Sequence, residues 1–300
     1  MSSVVYQQNT NQSLKTKVNA FITTTKPRVV AMMLLTTFVG MVLSSNDSLA
    51  IFQCLLALLG IGLVASSGAS INHVIDMHID QQMNRTKKRP LASGILLPRQ
   101  VIILAAFCGV AGMSILLIWV NMLTAWLTLG AFVGYAFIYT GFLKWKTPQN
   151  IVIGGLSGAL PPLLGWTAVT DKVTAEALAL VMIIFVWTPP HFWALAIFRK
   201  EEYAKVGVPM LPVTHGEKYT ALHIVLYTWL LLAVSMLPFV LKFSGVFYLL
   251  GAIPLGVIYL YKSHQLLRTM CRNNAWDLFR YSIFYLLAIF VFLLLDRMVL

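Results

Sequence analysis

The stretch "INHVIDMHIDQQMNRTKKRP" (71–90) follows a long apolar run and places two aspartates, an asparagine and four basic residues close together. Asn72, Asp76 and Asp80 recur every four residues, a spacing that advances about 40° per step on a helix, so their side chains share one stripe. Carboxylate and amide oxygens on one face suit a hard cation such as Mg²⁺. His73 borders this stripe. We therefore expect a metal site at the end of this helix.

A basic run comes directly after the aspartates. Arg85, Lys88 and Arg89 carry the charges that bind a phosphate or diphosphate. A solvated loop that follows the charge bias of membrane proteins accounts for the same residues. The residues alone leave both interpretations open.

The composition places the chain in a membrane, because 59% of the 300 residues are hydrophobic and 11% are charged. Runs of about twenty apolar residues cross a bilayer, and nine are predicted: 29–45, 50–72, 101–120, 123–142, 151–169, 175–198, 220–241, 246–261 and 280–296. We therefore expect an all-α integral membrane protein that forms a single domain over 1–300. Residues 1–25 form a polar tail, and the loops 76–100 and 199–219 carry the candidate chemistry.

The basic residues follow the loops and do not indicate a nucleic-acid partner. Nineteen of the 22 Lys and Arg lie on one side of the predicted topology, and Lys172, Lys242 and Arg297 lie on the other. By the positive-inside rule the N-terminus is cytoplasmic and the C-terminus is outside. Both acidic clusters are then on the cytoplasmic side.

A second polar cluster lies in "FRKEEYAKVGVPMLPVTHGEK" (198–218). Lys200 is suited to anchoring a helix end at the membrane interface. Glu201 and Glu202 contribute little to topology and lie beside Tyr203, which favours a functional role. The two prolines that follow predict either an ordered cap or a linker. A site shared between the two polar clusters is a hypothesis at this point.

The sixth apolar run contains "VWTPPHFWALAIF" (186–198), in which His191 follows two prolines that are expected to break the helix. A deep histidine with aromatic neighbours favours a ligand site. A structural hydrogen bond to a neighbouring helix remains an equal alternative, and His73 is a competing ligand. Four glycines of the preceding run predict close helix packing: Gly154, Gly155, Gly158 and Gly165.

Several blocks together resemble the UbiA superfamily of intramembrane prenyltransferases, and within it the branch that modifies heme. These blocks are "TKPRV" (25–29), "NHVIDMHIDQQMNRTKKRPL" (72–91), "TPQNIVIGGLSGALPPLLGW" (147–166), "HFWALAIFRKEEY" (191–203), "PMLPVTHG" (209–216) and "LFRYSIFYL" (278–286). The first aspartate-rich block is similar to the whole superfamily. The TPQN, HFWALA and PMLPV blocks point to the heme branch.

The resemblance implies nine helices around a central cavity in the inner membrane, and a Mg²⁺-dependent reaction. Farnesyl diphosphate and heme b would give heme O and diphosphate, and heme O would pass to a heme A synthase or to terminal oxidase assembly. The resemblance assigns site residues as follows: Asn72, Asp76 and Asp80 to the first motif, Arg85 and Arg89 to its basic extension, Lys200, Glu201, Glu202 and Tyr203 to the second motif, and Asp76, Asp80, Glu201 and Glu202 to the metal.

Both motifs depart from the superfamily pattern. His73 stands where an aspartate usually follows the asparagine, and Glu201 and Glu202 replace aspartates in the second motif. The number of carboxylates that touch metal is therefore open. Three other functions also remain: prenyl transfer to an aromatic or quinone-precursor acceptor, membrane transport, and non-catalytic heme binding during assembly. A transporter usually places its acidic sites near the bilayer centre, not at one face.

The charge asymmetry predicts that both acidic clusters face the cytoplasm. Single cysteines at Gln82 and Ala204, in a background without native cysteines, are expected to react with impermeant thiol reagents only from the cytoplasmic side. Labelling intact cells and inverted vesicles measures this. A control cysteine at Lys172 should show the opposite pattern, and periplasmic labelling of Gln82→Cys or Ala204→Cys contradicts the topology.

Overall fold

The computed structural model describes residues 13–45 and 50–299, and within them the chain forms helices and no strand. Residues 1–12 of the predicted tail lie outside the described part. Nine helices in the described part are long and apolar enough to cross a membrane: Pro27–Ser44, Ile51–Ile75, Pro98–Trp119, Met122–Lys146, Asn150–Thr170, Ala175–Phe198, Glu217–Val240, Val246–Thr269 and Arg272–Val299. They are called the first to ninth spans here. The predicted count of nine is confirmed.

Four short helices lie outside the spans. One precedes the first span, Leu14–Thr24, and the others lie between spans: Met77–Gln82, Lys200–Lys205 and Leu211–Thr214. The fourth span contains a π-helical segment, Gly134–Leu143, and the fifth consists of Asn150–Ala159 and Pro161–Thr170. The seventh likewise consists of Glu217–Val234 and Leu237–Val240.

The eighth and ninth spans are longer than predicted. The eighth runs on from the predicted end at 261 to Thr269, and the ninth begins at Arg272 where 280 was expected. Polar residues occupy both extensions, so an apolar-run criterion ends too early although the helices continue. The two spans pack against each other along their length.

The sixth span is the most buried of the nine and packs against the fifth, seventh and ninth. The expected break at Pro189 and Pro190 is wrong, because one helix runs from Ala175 to Phe198 with both prolines inside it. Packing against the neighbouring spans holds this segment in place although two backbone donors are missing. The helix therefore continues through residues 191–198 to the end of the span.

Glycines let the first and fifth spans approach closely. A methyl group added at Gly165 would lie 1.9 Å from the carbonyl oxygen of Thr37, and one at Gly40 would lie 2.1 Å from that of Pro162. Gly154 and Gly155 make similar contacts with Tyr139 and Thr188, whereas a methyl group at Gly158 would meet nothing within 4 Å. The packing interpretation thus holds for three of the four glycines of the fifth span.

Gly165→Ala is expected to destabilise the protein, because the new methyl group meets rigid backbone and must separate the first and fifth spans. Overpacking of this kind costs about 1–3 kcal/mol. Gly130→Ala is the matched control, since a methyl group there meets nothing within 4 Å. Thermal unfolding in detergent measures both variants. Equal melting temperatures for Gly165→Ala and the wild type would contradict the prediction.

Candidate active site

The first motif lies at the end of the second span. Asp76 occupies the junction between this span and the short helix that carries Asp80, and Asn72 lies one turn earlier. All three residues are at most 5% exposed. Asn72 Nδ2 donates to Asp76 Oδ2 at 3.0 Å, which brings the amide and the first carboxylate onto one face as the spacing indicates.

Each aspartate is held by a cation. Lys144 Nζ, at the end of the fourth span, lies 2.7 Å from Asp76 Oδ1. Arg89 Nη1 donates to both oxygens of Asp80, at 3.0 and 2.8 Å. A carboxylate removed from water requires a cation or hydrogen-bond donors as partners. The aspartates and their cations therefore form one fixed polar pocket.

A third cation enters from the start of the first span. Lys26 Nζ donates to Asn72 Oδ1 and, at 3.3 Å, to the hydroxyl of Tyr135. Burial, with Arg89 nearby, lowers the pKa of Lys26 to about 8 although Asp76 and Asp80 oppose this shift. Cations that repel one another in buried surroundings favour the binding of an anion between them.

The π-helical segment shapes one wall of the polar pocket. Thr140 Oγ1 donates to the carbonyl oxygen of Tyr135, five residues earlier, and lies 3.2 Å from Asn72 Nδ2. The rings of Tyr135 and Tyr139 stack with centroids 6.0 Å apart. Segments of π-helix are frequent at functional sites, and this one places two aromatic rings beside the first motif.

The second motif meets the first through Tyr203. Arg199 Nη1 pairs with Glu202 Oε1 at 2.7 Å, and Glu202 Oε2 is buried without a hydrogen-bond partner among the described residues. Burial raises the pKa of Tyr203, while Arg85 of the first motif and Arg199 act in the opposite direction. Tyr203 also packs in one apolar cluster with Ile79 and Met83. The two motifs therefore lie close together at the same end of the bundle.

The remaining predicted residues lie at the edge of this site. Glu201 is 82% exposed at its side chain and faces Arg272 of the ninth span, with Nη1 to Oε1 at 3.4 Å. Lys200 pairs with Glu217 at 3.1 Å, and Lys88 is exposed. None of these three side chains forms a hydrogen bond or an ion pair with Asp76 or Asp80. They surround the site and do not fill it.

The oxygen atoms at this site suit a metal ion that is bound partly by the protein and partly by a substrate. Among residues 13–45 and 50–299, no group of three or more His, Cys, Asp or Glu side chains is arranged to hold a metal ion by itself. Mg²⁺ is commonly bound by one or two carboxylates together with phosphate oxygens and water. Asp76 and Asp80 are buried, close to cations and four residues apart, which matches that mode of binding.

The two candidate heme residues lie in different surroundings. His191 is 8% exposed and lies between the rings of Trp187 and Phe279, at 4.3 and 4.7 Å between centroids. Its Nδ1 lies 2.6 Å from Ser282 Oγ on the ninth span. His73 is 2% exposed, and its Nδ1 has no hydrogen-bond partner in the described part of the chain.

Sequence reasoning did not assign roles to Lys26, Lys144 and Arg272. Arg272 Nε donates to the carbonyl oxygen of Phe198 at 2.8 Å, so the ninth span holds the end of the sixth. The signals were present, since Lys26 lies in "TKPRV" (25–29) and Lys144 in a basic loop. Both lysines served only as topological charges in the sequence argument.

Comparison with known proteins places this geometry in a family. The model of the UbiA prenyltransferase family matches residues 33–291. A protoheme IX farnesyltransferase of Saccharophagus degradans is 55% identical over 277 residues, which are 92% of this chain and 91% of that protein. One of Marinobacter nauticus is 57% identical over 93% of this chain and 92% of that protein.

Solved structures share the fold at low sequence identity. A digeranylgeranylglyceryl phosphate synthase matches with a TM-score of 0.80 at 20% identity, over 95% of this chain and 99% of that one. A UbiA homolog from Archaeoglobus fulgidus bound to GPP and Mg²⁺ matches with a TM-score of 0.70 at 16% identity, over 91% of this chain and 99% of that one. The chain is a multi-pass membrane protein and belongs to the UbiA prenyltransferase family.

Proposed function

We propose that this protein transfers the farnesyl group of farnesyl diphosphate to a vinyl group of heme b, with addition of water, and so produces heme O and diphosphate. The polar pocket carries the proposal, because two buried carboxylates and three cations meet at the end of an otherwise apolar bundle. The relatives named protoheme IX farnesyltransferase support heme b as the acceptor.

The pocket is suited to holding a diphosphate. Lys26, Lys144 and Arg89 approach it from the first span, the fourth span and the loop after the second, and Arg85 adds charge at its edge. Asp76 and Asp80, with Glu202 nearby, would hold Mg²⁺ together with diphosphate oxygens. The metal would neutralise charge on the departing diphosphate. The basic side chains stabilise the same charge as the bond between carbon and oxygen breaks.

The stacked tyrosines suit the prenyl group, which becomes a cation when the same bond breaks. The stacked faces of Tyr135 and Tyr139 lie next to Lys26 and Asn72, where they can stabilise the allylic cation. The terminal carbon of the heme vinyl group attacks that cation. Positive charge then lies on the carbon next to the porphyrin ring, where water adds its oxygen and releases a proton.

Water must be excluded until the second cation forms. The segment after the second motif is well packed and suited to cover the site, since Val208, Met210 and Leu211 are each at most 5% exposed and belong to the same apolar cluster as Tyr203. Of the two alternatives that the sequence allowed, this packing supports the ordered cap and not the linker. A cover of this kind sequesters the reaction from solvent.

For the acceptor, we propose that His191 binds the heme iron through a ring nitrogen, with His73 as the alternative closer to the aspartates. The charge distribution supports an inner-membrane location with the pocket facing the cytoplasm. Both substrates have apolar parts that remain in the bilayer, and the diphosphate reaches the aqueous side at the pocket.

The reaction is tested directly with purified protein in lipid. Incubation with heme b, farnesyl diphosphate and Mg²⁺ is expected to give farnesylated, hydrated heme, detected by mass spectrometry. The control replaces heme with an aromatic acid acceptor. A product only from the aromatic acceptor, or none from heme under conditions where a relative is active, contradicts the proposed function.

Variants of the polar pocket test the diphosphate site. Asp76→Asn and Asp80→Asn are each expected to lower kcat about 100-fold or more, because they remove a charge that acts on the leaving group. Lys144→Ala should raise the KM for farnesyl diphosphate about tenfold. Lys146→Ala is its matched control, being exposed two residues further on, and should stay within about twofold. Equal effects of the two lysine variants would contradict the site.

A further inference from the structure

A chain of hydrogen bonds joins the sixth and ninth spans beside His191. The indole Nε1 of Trp187 donates to the carbonyl oxygen of Ser282 at 2.7 Å. The hydroxyl of Ser282 donates to the carbonyl oxygen of Phe279 at 2.6 Å and lies 2.6 Å from His191 Nδ1. Three side chains and two backbone carbonyl groups are thereby fixed in one arrangement.

The hydrogen bonds of Ser282 favour one tautomer of His191. A serine hydroxyl has one hydrogen, and Ser282 donates it to the carbonyl oxygen of Phe279. Toward His191 the hydroxyl oxygen therefore accepts, so the neutral imidazole carries its proton on Nδ1. The lone pair is then on Nε2, since the hydrogen bond of one ring nitrogen sets the state of the other.

The orientation of the imidazole is also fixed. Trp187 and Phe279 stack on its two faces within 30° of parallel, and Phe192 meets its edge at 4.9 Å between centroids. Among the described residues, the ring makes its hydrogen bond through Nδ1 and leaves Nε2 unengaged. The arrangement therefore holds the Nε2 lone pair in one fixed direction.

We propose that Ser282 is a positioning residue: by accepting a hydrogen bond from Nδ1 it holds His191 in the tautomer whose Nε2 binds the iron of the porphyrin substrate. This rests on the proposed function, which supplies heme as the acceptor. Histidines that bind metal usually donate their other ring N–H to a fixed oxygen, and loss of that oxygen weakens metal affinity about 10- to 100-fold.

Heme titration of the full-length protein in detergent tests the role of Ser282. In the wild type, ferrous heme should show the iron–histidine vibration by resonance Raman, and His191→Ala should lose it. Ser282→Ala should shift this vibration and weaken heme binding about tenfold, and Ser282→Thr should restore both. Ser263→Ala is the matched control, because Ser263 is buried and its hydroxyl bonds a carbonyl three residues earlier but makes no hydrogen bond with a histidine side chain; it should match the wild type.

The tautomer itself is measured without a destabilising change. Nitrogen NMR of histidine-labelled wild-type protein without heme, with His191→Asn to assign the signal, should show the proton on Nδ1. A proton on Nε2, or an unchanged iron–histidine vibration in Ser282→Ala, overturns the proposal. Binding of a farnesyl diphosphate analogue reports folding of each variant. Heme O production by wild-type protein with such negative results would separate this failure from failure of the proposed function.

Discussion

Two buried carboxylates at one end of the bundle are each paired with a positive charge, and these ion pairs organise that end of the molecule. Asp76 and Asp80 are at most 5% exposed, and the nearest cationic atoms lie at 2.7 and 2.8 Å. Lys144 is 68 residues from its partner along the chain. The ion pair therefore ties the fourth span to the second, and Lys26 ties the first span to the same point.

The opposite end of the bundle is held by a different buried carboxylate. Asp296, 1% exposed on the ninth span, accepts hydrogen bonds from Ser244 Oγ at 2.6 Å and from the backbone nitrogens of Gly245 and Tyr248 at 2.5 and 2.9 Å. It thus satisfies free N–H groups at the start of the eighth span, where the helix dipole also favours a negative charge. No lysine or arginine pairs with it among the described residues, so this carboxylate fixes two helices and holds no place for a diphosphate.

Hydropathy and helical spacing predict the features of this fold that depend on residues close together in the chain. The nine spans and the contact of Asn72 with Asp76 follow from such patterns. The roles of Lys26 and Lys144 depend on contacts between distant spans, which spacing does not contain. Glu201 shows the same limit, since only the fold reveals that it faces Arg272. The continuity of the helix at Pro189 depends on packing against neighbouring spans, which the local sequence does not contain.

The internal pairing of charges also bears on how a diphosphate can enter at a tolerable cost in free energy. If the buried cations had no partners before the diphosphate bound, the substrate-free protein would bear a large cost in free energy. Here Lys144 and Arg89 are satisfied by Asp76 and Asp80 beforehand. Under the proposed function, a diphosphate arriving with a divalent cation would let the lysine and arginine turn to phosphate oxygens while the aspartates turn to the metal. Both ion pairs would then exchange partners without leaving any of these four charges unpaired.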